Sequence, residues 1–454
     1  MARELKKDYS NLGWWESYQR EMKTEYRQCI EEGLDVEAYK DLFEVAAALP
    51  DGETREKVTD AIFDLVYNAK IKEGYKYNEP SDLEGIKALR EKFKLPHKKL
   101  GKRELEKKIH GAWMGRVAGC LLGKPVEGMH TYHIHKVLKR SDNFPLKRYI
   151  AKSDLGEEIL NDPNSQWIVN KPWIDTVSYM PFDDDTNYTV MGQLIIDRFG
   201  KDFNSYHVID TWLKLQPKES YCTAERVAFK NFLLGYRPPY SAEYKNPYRE
   251  WIGAQIRGDY FGYINPGKPE AAAKMAFNDA CISHIKNGIY GEMYASAMIA
   301  AAAVCDSAED IILAGLGEIP KTSRLYESVM SILQMYRDGK SAQECYDYIH
   351  SQWNEKDGHD WCHTISNAMI VAYALLWCEN DFGKAICMAV EIGFDTDCNG
   401  ATVGSIMGMK NGIDSIDDVW QKPINNTIET TLIGVGFVKI TDAVKKTIEH
   451  INKK

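Results

Sequence analysis

Four glycines recur at every fourth position in the segment HGAWMGRVAGCLLGKPVEG, and this row constrains the fold more than any other feature of the chain. On an α-helix, residues four apart lie on one face. A glycine inside a helix costs about 1 kcal/mol relative to alanine, so a full row indicates that another backbone or a ligand approaches closely. The first row is Gly111, Gly115, Gly119 and Gly123, and a second row follows at Gly400, Gly404 and Gly408. Tight helix packing and a ligand cleft both fit this pattern.

Helical spacing of apolar residues recurs along the chain, whereas alternating strand patterns are absent, so we predict an all-α fold. The predicted helices are 14–30, 35–49, 54–71, 271–284, 291–308, 321–336, 341–352, 364–378 and 382–392. Pro125 should end the first glycine helix, and the Lys-Asn-Gly sequences at 286–288 and 410–412 are predicted helix ends. The proline-containing segments 128–180 and 237–268 are predicted to be irregular.

The chain divides at a basic stretch, 92–108, which carries eight basic residues, two acids and Pro96. We interpret this stretch as a solvated linker or helix start. The predicted domains are a helical N-terminal extension, residues 1–105, and a helical body, residues 106–454. We expect the extension either to form homo-oligomers or to cap the cleft of the body.

Charge and cysteine usage narrow the class of protein. The 454 residues carry a net charge of −9, so sequence-independent nucleic-acid binding, which needs a basic face, is not expected. The ten cysteines form no Cys-x-x-Cys motif and are predicted to be free thiols. No signal sequence or membrane span is recognised, so we expect a cytoplasmic protein that does not bind membranes.

Two acidic clusters lie in otherwise apolar sequence, each leading into a predicted helix. The first is Asp183-Asp184-Asp185-Thr186, and the second is Asp395-Thr396-Asp397-Cys398. Helix capping explains one aspartate per helix but not several. A hard divalent cation explains more, because Mg²⁺ and Mn²⁺ prefer oxygen ligands. Asp-rich motifs on helical proteins also occur in Mg²⁺-dependent isoprenoid synthases, which we keep as an alternative.

Taken together, these motifs resemble the ADP-ribosylglycohydrolase family, which includes the dinitrogenase-reductase-activating glycohydrolases. The family opening GxxxGxxxGDxxGxPxE is similar to GAWMGRVAGCLLGKPVE at 111–127. The TDDT and DTDT motifs of the family are similar to the two acidic clusters. Ser283-His284 resembles the Thr-His that precedes an alanine-rich helix, here 291–304. The resemblance covers about residues 107–445.

The resemblance implies an orthogonal helical bundle that holds two Mg²⁺ ions in a central cleft and hydrolyses a glycosidic bond of an ADP-ribosyl conjugate or related riboside. The substrate would be a small molecule or protein-linked ADP-ribose. The implied catalytic residues are Glu127, Asp184 and Asp397, and the implied substrate contacts are His284, facing a phosphate, Gly119 and Tyr263. The implied metal ligands are Asp183, Asp184, Asp185, Asp395, Asp397 and Cys398.

Several positions depart from the family pattern. Asp183 and Cys398 each replace a threonine, and Cys120 replaces the aspartate of the Gly-Asp pair. An added carboxylate could tighten metal binding, whereas a thiol suits Mg²⁺ poorly and leaves Mn²⁺ as the alternative ion. The family's phosphate loop is not recognisable, and the aromatic segment 257–263 in that region could stack on a base or pack in the core. These departures leave open a family member that binds ADP-ribose or a nucleotide without turning it over.

Overall fold

A computed structural model describes residues 7–453 of the chain, and that part is almost wholly helical. The all-α prediction is confirmed, and the one sheet of the described residues is a short antiparallel hairpin. None of the described helices is both long and apolar enough to cross a membrane. The first four helices are α1 (Met22–Glu31), α2 (Lys40–Ala48), α3 (Glu53–Tyr67) and α4 (Leu83–Leu89).

The rest of the chain adds twenty α-helices and two strands to the described part. They are α5 (Lys102–Gly123), α6 (Thr131–Arg140), α7 (Glu157–Leu160), α8 (Gln166–Val169), α9 (Asp184–Phe199), α10 (Ser205–Leu215), α11 (Thr223–Leu233), α12 (Tyr240–Glu243), α13 (Asp259–Tyr263), α14 (Pro269–Ala280), α15 (Lys286–Ala302), α16 (Ala308–Leu316), α17 (Arg324–Arg337), α18 (Ala342–Gln352), α19 (Gly358–Cys362), α20 (Thr364–Trp377), α21 (Phe382–Glu391), α22 (Thr396–Asn411), α23 (Asp418–Gln421), β1 (Thr427–Glu429), β2 (Phe437–Lys439) and α24 (Ile440–Asn452).

The two glycine rows face each other across an antiparallel contact between α5 and α22. A Cβ atom on Gly115 would lie 2.1 Å from the carbonyl oxygen of Gly404, and one on Gly119 would lie 1.9 Å from that of Gly400. Real Cβ atoms do not approach a backbone so closely, so only glycine fits at these contacts. Of the two explanations that the sequence left open, the rows serve helix packing.

The alanine-rich helix predicted at 291–304 is the centre of the body. It is α15, and almost all of its residues are buried, as expected for a helix with an apolar surface on every side. Gly258 and Gly262 bring the region of α13 against one side of α15, and Gly315 of α16 approaches another side. The core therefore forms around α15 and the α5–α22 pair.

The N-terminal helices have a small apolar core of their own, formed by Met22, Phe43, Ile62 and their neighbours. Buried ion pairs join them to the body. Arg249 bonds to Glu25 at 2.8 Å and to Glu32 at 2.5 Å, and Arg324 bonds to Glu79 at 2.8 Å. Buried ion pairs thus hold the extension against the body. The predicted boundary between residues 105 and 106 stays a prediction, and α5 begins just before it.

Both predicted Lys-Asn-Gly helix ends have clear outcomes. The chain ends α22 at Asn411 and places Gly412 at φ +80°, as predicted. The predicted helix end at 286–288 is wrong, because these residues begin α15. The carboxylate of Glu250 accepts the backbone N–H of Asn287 at 3.0 Å and its side-chain amide at 2.8 Å, which satisfies this helix start.

The segment 128–180 is less irregular than predicted, since it contains the two-and-a-half-turn helix α6. The apolar residues Ile134, Val137 and Leu138 of α6 are buried, and this one-sided burial stabilises the helix.

Candidate active site

Helix α5 presents two neighbouring rows of side chains, and the second row builds the candidate site. The first row is the glycine row that meets α22. The second row lies one residue further along the chain, at Arg116, Cys120 and Lys124, and it faces the acidic residues at the start of α9. Because α5 contacts both α9 and α22, it brings together two acidic clusters that are 210 positions apart in the sequence.

Both acidic clusters begin helices, as predicted. Asp183 is the N-cap of α9, and its Oδ1 accepts the backbone N–H of Asp185 at 2.9 Å. Asp395 precedes α22 but makes no capping hydrogen bond. The hydroxyl of Thr396 instead donates to the carbonyl of Gly123 at 2.9 Å, which ties the start of α22 to the end of α5. Capping therefore accounts for Asp183 and leaves the other aspartates unexplained.

Two cations of the chain reach the first cluster. The Lys124 ammonium lies 2.6 Å from Asp183 Oδ2, and the Arg116 guanidinium lies 3.1 Å from Asp185 Oδ1. Arg116 also lies 2.8 Å from Asp259 Oδ1. The guanidinium and both carboxylates are almost fully buried. Buried charges are stable only when they are paired, so these contacts account for part of the negative charge.

Potential metal-ligating atoms converge in two sets that share Asp185. The first set is Cys120, Asp183 and Asp185, and the second is Asp185, Asp397 and Cys398; within each set the ligand atoms lie within 4.8 Å of one another. Asp185 Oδ2 and Asp397 Oδ1 are buried without a hydrogen-bond partner among the described residues. A buried carboxylate oxygen without a partner is costly, so the second set has the properties expected of a cation site.

Burial raises the pKa of Asp184, Asp185 and Asp397 well above the ordinary aspartate value, and neighbouring carboxylates raise these pKa values further. Burial, together with the charge of Glu127, raises the pKa of Asp395 to about 7. Without a bound cation the cluster would therefore favour protonated carboxyl groups.

Asp183 is the exception among these aspartates. Burial acts to raise its pKa, but the Lys124 ammonium more than offsets this effect and lowers it. Burial likewise opposes the charge on Lys124, yet Asp183 holds the pKa of Lys124 well above its usual range. The two groups therefore form a stable ion pair.

Glu127 and Asp184 are the solvent-facing carboxylates of the site. The Glu127 side chain is 41% exposed, and its Oε2 lies 3.6 Å from the ammonium of Lys171. Asp184 is half-buried. The charge of Glu127 is among the causes that raise the pKa of Asp184 and Asp397, which indicates that it lies close to both clusters.

The family model described as ADP-ribosylglycohydrolase matches residues 102–450. The chain belongs to the ADP-ribosylglycohydrolase family. No protein in a search of curated proteins matches it. One solved structure, titled "ADP-ribosylglycohydrolase-related protein complex", is similar at 16% identity and a TM-score of 0.47, over 77% of this chain and 98% of that chain. Membership supports a glycosidase acting on ADP-ribosyl compounds and leaves the isoprenoid synthase alternative without support.

The structure brings together the predicted metal ligands and Glu127 but places the predicted substrate contacts elsewhere. Gly119 lies in the α5–α22 contact, against the Gly400 backbone. The Tyr263 ring is fully buried near Trp113, and its hydroxyl bonds to Ser405 and to the carbonyl of Ala112. Both residues are buried and pack against neighbouring helices, and their roles as substrate contacts stay predictions.

His284 is also fully buried. Its Nδ1 lies 2.9 Å from the hydroxyl of Ser283, and its Nε2 has no hydrogen-bond partner among the described residues. Burial, with a smaller effect of the nearby Arg257, lowers the pKa of His284 well below the usual histidine value. A neutral, enclosed imidazole does not provide a cation, and the role of His284 toward a phosphate stays a prediction.

Sequence reasoning missed several residues of the site. Lys124 and Arg116 lie inside the quoted glycine motif, and their position one residue after a glycine was a usable signal. Cys362, whose sulfur lies 3.9 Å from Asp395 Oδ2, carried no such signal, because it reaches the cluster from the end of α19. Asp259 was part of the aromatic segment considered for stacking, and its role is to pair with Arg116.

Proposed function

We propose that the chain is a divalent-cation-dependent hydrolase that cleaves the bond between an ADP-ribosyl group and its acceptor. The proposal depends on one observation: Asp185 and Asp397 offer ligand atoms within 4.8 Å of each other, and Asp185 Oδ2 and Asp397 Oδ1 are buried without a hydrogen-bond partner among the described residues. Family membership supplies the class of reaction. The acceptor attached to the ribose stays open among small molecules and protein side chains.

Asp184, Asp185, Asp395 and Asp397 would hold the cation, which is Mg²⁺ or Mn²⁺ by the chemistry of carboxylate ligands. Such an ion acts as a Lewis acid and lowers the pKa of a bound water. Cys398 lies within the same set of ligand atoms, and a thiol there favours Mn²⁺ over Mg²⁺.

We assign the proton transfer to Glu127. Hydrolysis at an anomeric carbon needs one carboxylate to accept a proton from the attacking water or to protonate the leaving group. The Glu127 side chain is 41% exposed, so a substrate can reach it. The ammonium of Lys171 lies 3.6 Å from Glu127 Oε2 and can orient this carboxylate.

Release of ADP-ribose from ADP-ribosyl-arginine, ADP-ribosyl-serine and small ribosides, followed by chromatography with Mg²⁺ or Mn²⁺, tests this proposal. We expect Asp184→Ala and Asp397→Ala each to lower the rate by about 100-fold or more, since metal-assisted charge stabilisation contributes several kcal/mol. Asp418→Ala is the matched control, because this aspartate is exposed and pairs only with Lys422 among the described residues. Full activity in both site variants would contradict the proposal.

A second candidate function is binding of ADP-ribose or a nucleotide without turnover. It is favoured by the two thiols, Cys120 and Cys398, which lie among the ligand atoms at positions where the family pattern has an oxygen donor. Tight binding of ADP-ribose by calorimetry, with no product from any conjugate in Mg²⁺ or Mn²⁺, would support this alternative.

A further inference from the structure

The acidic residues of the site form two halves, Asp183 in the first and Asp185 with Asp397 in the second. The halves differ in how their negative charge is offset. In the first half, both oxygens of Asp183 have partners: Oδ1 accepts the N–H of Asp185 at 2.9 Å, and Oδ2 meets the Lys124 ammonium at 2.6 Å. In the second half, Asp185 Oδ2 and Asp397 Oδ1 have no partner among the described residues. Asp183 is thus paired through both oxygens, whereas Asp185 is paired with Arg116 through Oδ1 alone and Asp397 has no ion pair among the described residues.

Lys124 is held firmly in this position. Its side chain is 18% exposed and that of Asp183 is 1% exposed, so their pairing takes place out of water. Removing a buried charge from its partner leaves the other charge uncompensated, which costs several kcal/mol. A divalent cation that displaced Lys124 from Asp183 would have to overcome this cost and the repulsion from the ammonium.

The sequence change at position 183 has the same explanation. The family motif has threonine here, and this chain has an aspartate, which adds one negative charge. That added charge meets the ammonium of Lys124, which directly follows α5. The carboxylate and the ammonium pair with each other, so the added negative charge of Asp183 is offset within the chain.

We infer that the Lys124 ammonium replaces one of the two metal ions that the sequence predicted, and that each chain binds a single divalent cation, at Asp185, Asp397 and their neighbours. This inference rests on the cation site of the proposed function. It concerns the number of ions and not the reaction, so it can be tested without a substrate.

Equilibrium dialysis of the full-length protein against Mn²⁺ alone measures the number of ions directly. We expect one ion per chain in the wild type and two in Lys124→Met, which keeps the length of the side chain but removes its charge. Lys124→Arg should keep one. Lys171→Met is the matched control, because it removes a nearby ammonium that contacts Glu127 instead of Asp183, and it should also keep one.

A stoichiometry of two or zero in the wild type, or of one in a folded Lys124→Met variant, would overturn the inference. A second measurement needs no variant. Two Mn²⁺ ions that share Asp185 would be magnetically coupled, whereas one ion gives the separate six-line electron paramagnetic resonance spectrum that we expect. A coupled spectrum from the wild type would also overturn it.

The assay of ADP-ribose release separates this inference from the proposed function. Turnover by a wild type that binds two ions would leave the function standing and reject the role of Lys124. One bound ion without turnover of any conjugate would support the role of Lys124 and reject the proposed function.

Discussion

Asp395 shows how a single side chain links the charge of the site to the stability of the protein. Its carboxyl group is buried at the start of α22, and its pKa lies at about 7. In an unfolded chain the same group would lose its proton near pH 3.8. Between these pH values the folded protein binds more protons than the unfolded one, so its free energy of unfolding falls as the pH rises.

We therefore expect metal-free protein to lose stability between pH 4.5 and 7 with a contribution from Asp395 of up to about 1.4 kcal/mol per pH unit. Asp395→Asn removes this contribution because the amide does not titrate. Urea unfolding of both proteins in the presence of a chelator measures the difference in their free energies of unfolding. This difference should change with pH at the stated slope, while Asp418→Asn should have the same pH profile as the wild type. Parallel pH profiles for the wild type and Asp395→Asn would refute the assignment.

The sequence predicts some residues of the site and not others. The order of motifs was sufficient to predict that Asp185 and Asp397 meet, because each motif matches the family pattern. The pattern has no fixed residue at position 124, so the family comparison gave Lys124 no role, and its place one residue after Gly123 was the one signal that it could point inward. A lysine is normally exposed, and only its partner in three dimensions shows that it is buried.

At the scale of elements, the contact between α5 and α22 fixes the distance between the two acidic clusters. The helices approach so closely that a Cβ on Gly115 would lie 2.1 Å from the carbonyl oxygen of Gly404. Backbone atoms cannot move aside as a flexible side chain can. Any larger residue in the row must push the helices apart and change the spacing of the site.

Gly115→Ala tests this element. Overpacking costs about 1–3 kcal/mol and occasionally more, and we expect the upper end because the obstacle is backbone. Gly358→Ala is the control: this glycine has an ordinary backbone conformation and open space around its Cβ position, so alanine should be neutral or slightly stabilising. Urea unfolding measures both. A loss below 1 kcal/mol for Gly115→Ala would show that the helices yield easily.

Glycine spacing predicted this close approach but not its partner. Each row alone fits either a helix or a ligand as its neighbour, and only the observed register pairs the rows with each other. The short hairpin β1–β2 escaped prediction for a different reason. Three residues per strand are too few to show an alternating pattern.

At the scale of the whole molecule, the N-terminal extension is held to the body by buried charges. Glu32 on the extension contacts Arg249 at 2.5 Å and Lys286 at 2.8 Å, and all three side chains are largely buried. These groups are far apart in the sequence, so their pairing could not be predicted from it. Oligomer formation through the extension stays a prediction.

Glu32→Gln should destabilise the full-length protein by about 3–5 kcal/mol, because it breaks a buried pair and leaves the charge of Arg249 less compensated. Glu44→Gln is the control, since its pair with Lys40 at 3.7 Å is exposed, and the loss should stay within about 0.5 kcal/mol. Equilibrium unfolding in urea measures both changes. Equal stability of the two variants would contradict a buried network.

Deletion of residues 1–95 extends the same reasoning. It would remove Glu25, Glu32 and Glu79, the partners of Arg249 and Arg324, and uncover the surface of the body that the extension covers. We expect the shortened chain to be insoluble or unfolded by circular dichroism. A shortened chain as stable as the full-length protein would show instead that the extension is a removable appendage.

The two residue rows at α5 have separate roles. The glycine row sets the packing against α22, and the row at 116, 120 and 124 supplies charged groups and a thiol to the site. Gly115, Gly119 and Gly123 of the first row are each followed by a residue of the second, so a change of residue type at 116, 120 or 124 alters the pocket while the neighbouring contact with α22 stays fixed. The scaffold can thus accept a new set of charges without a new backbone. A designer who wishes to change the ion or the substrate of this fold should vary the second row and leave the first untouched.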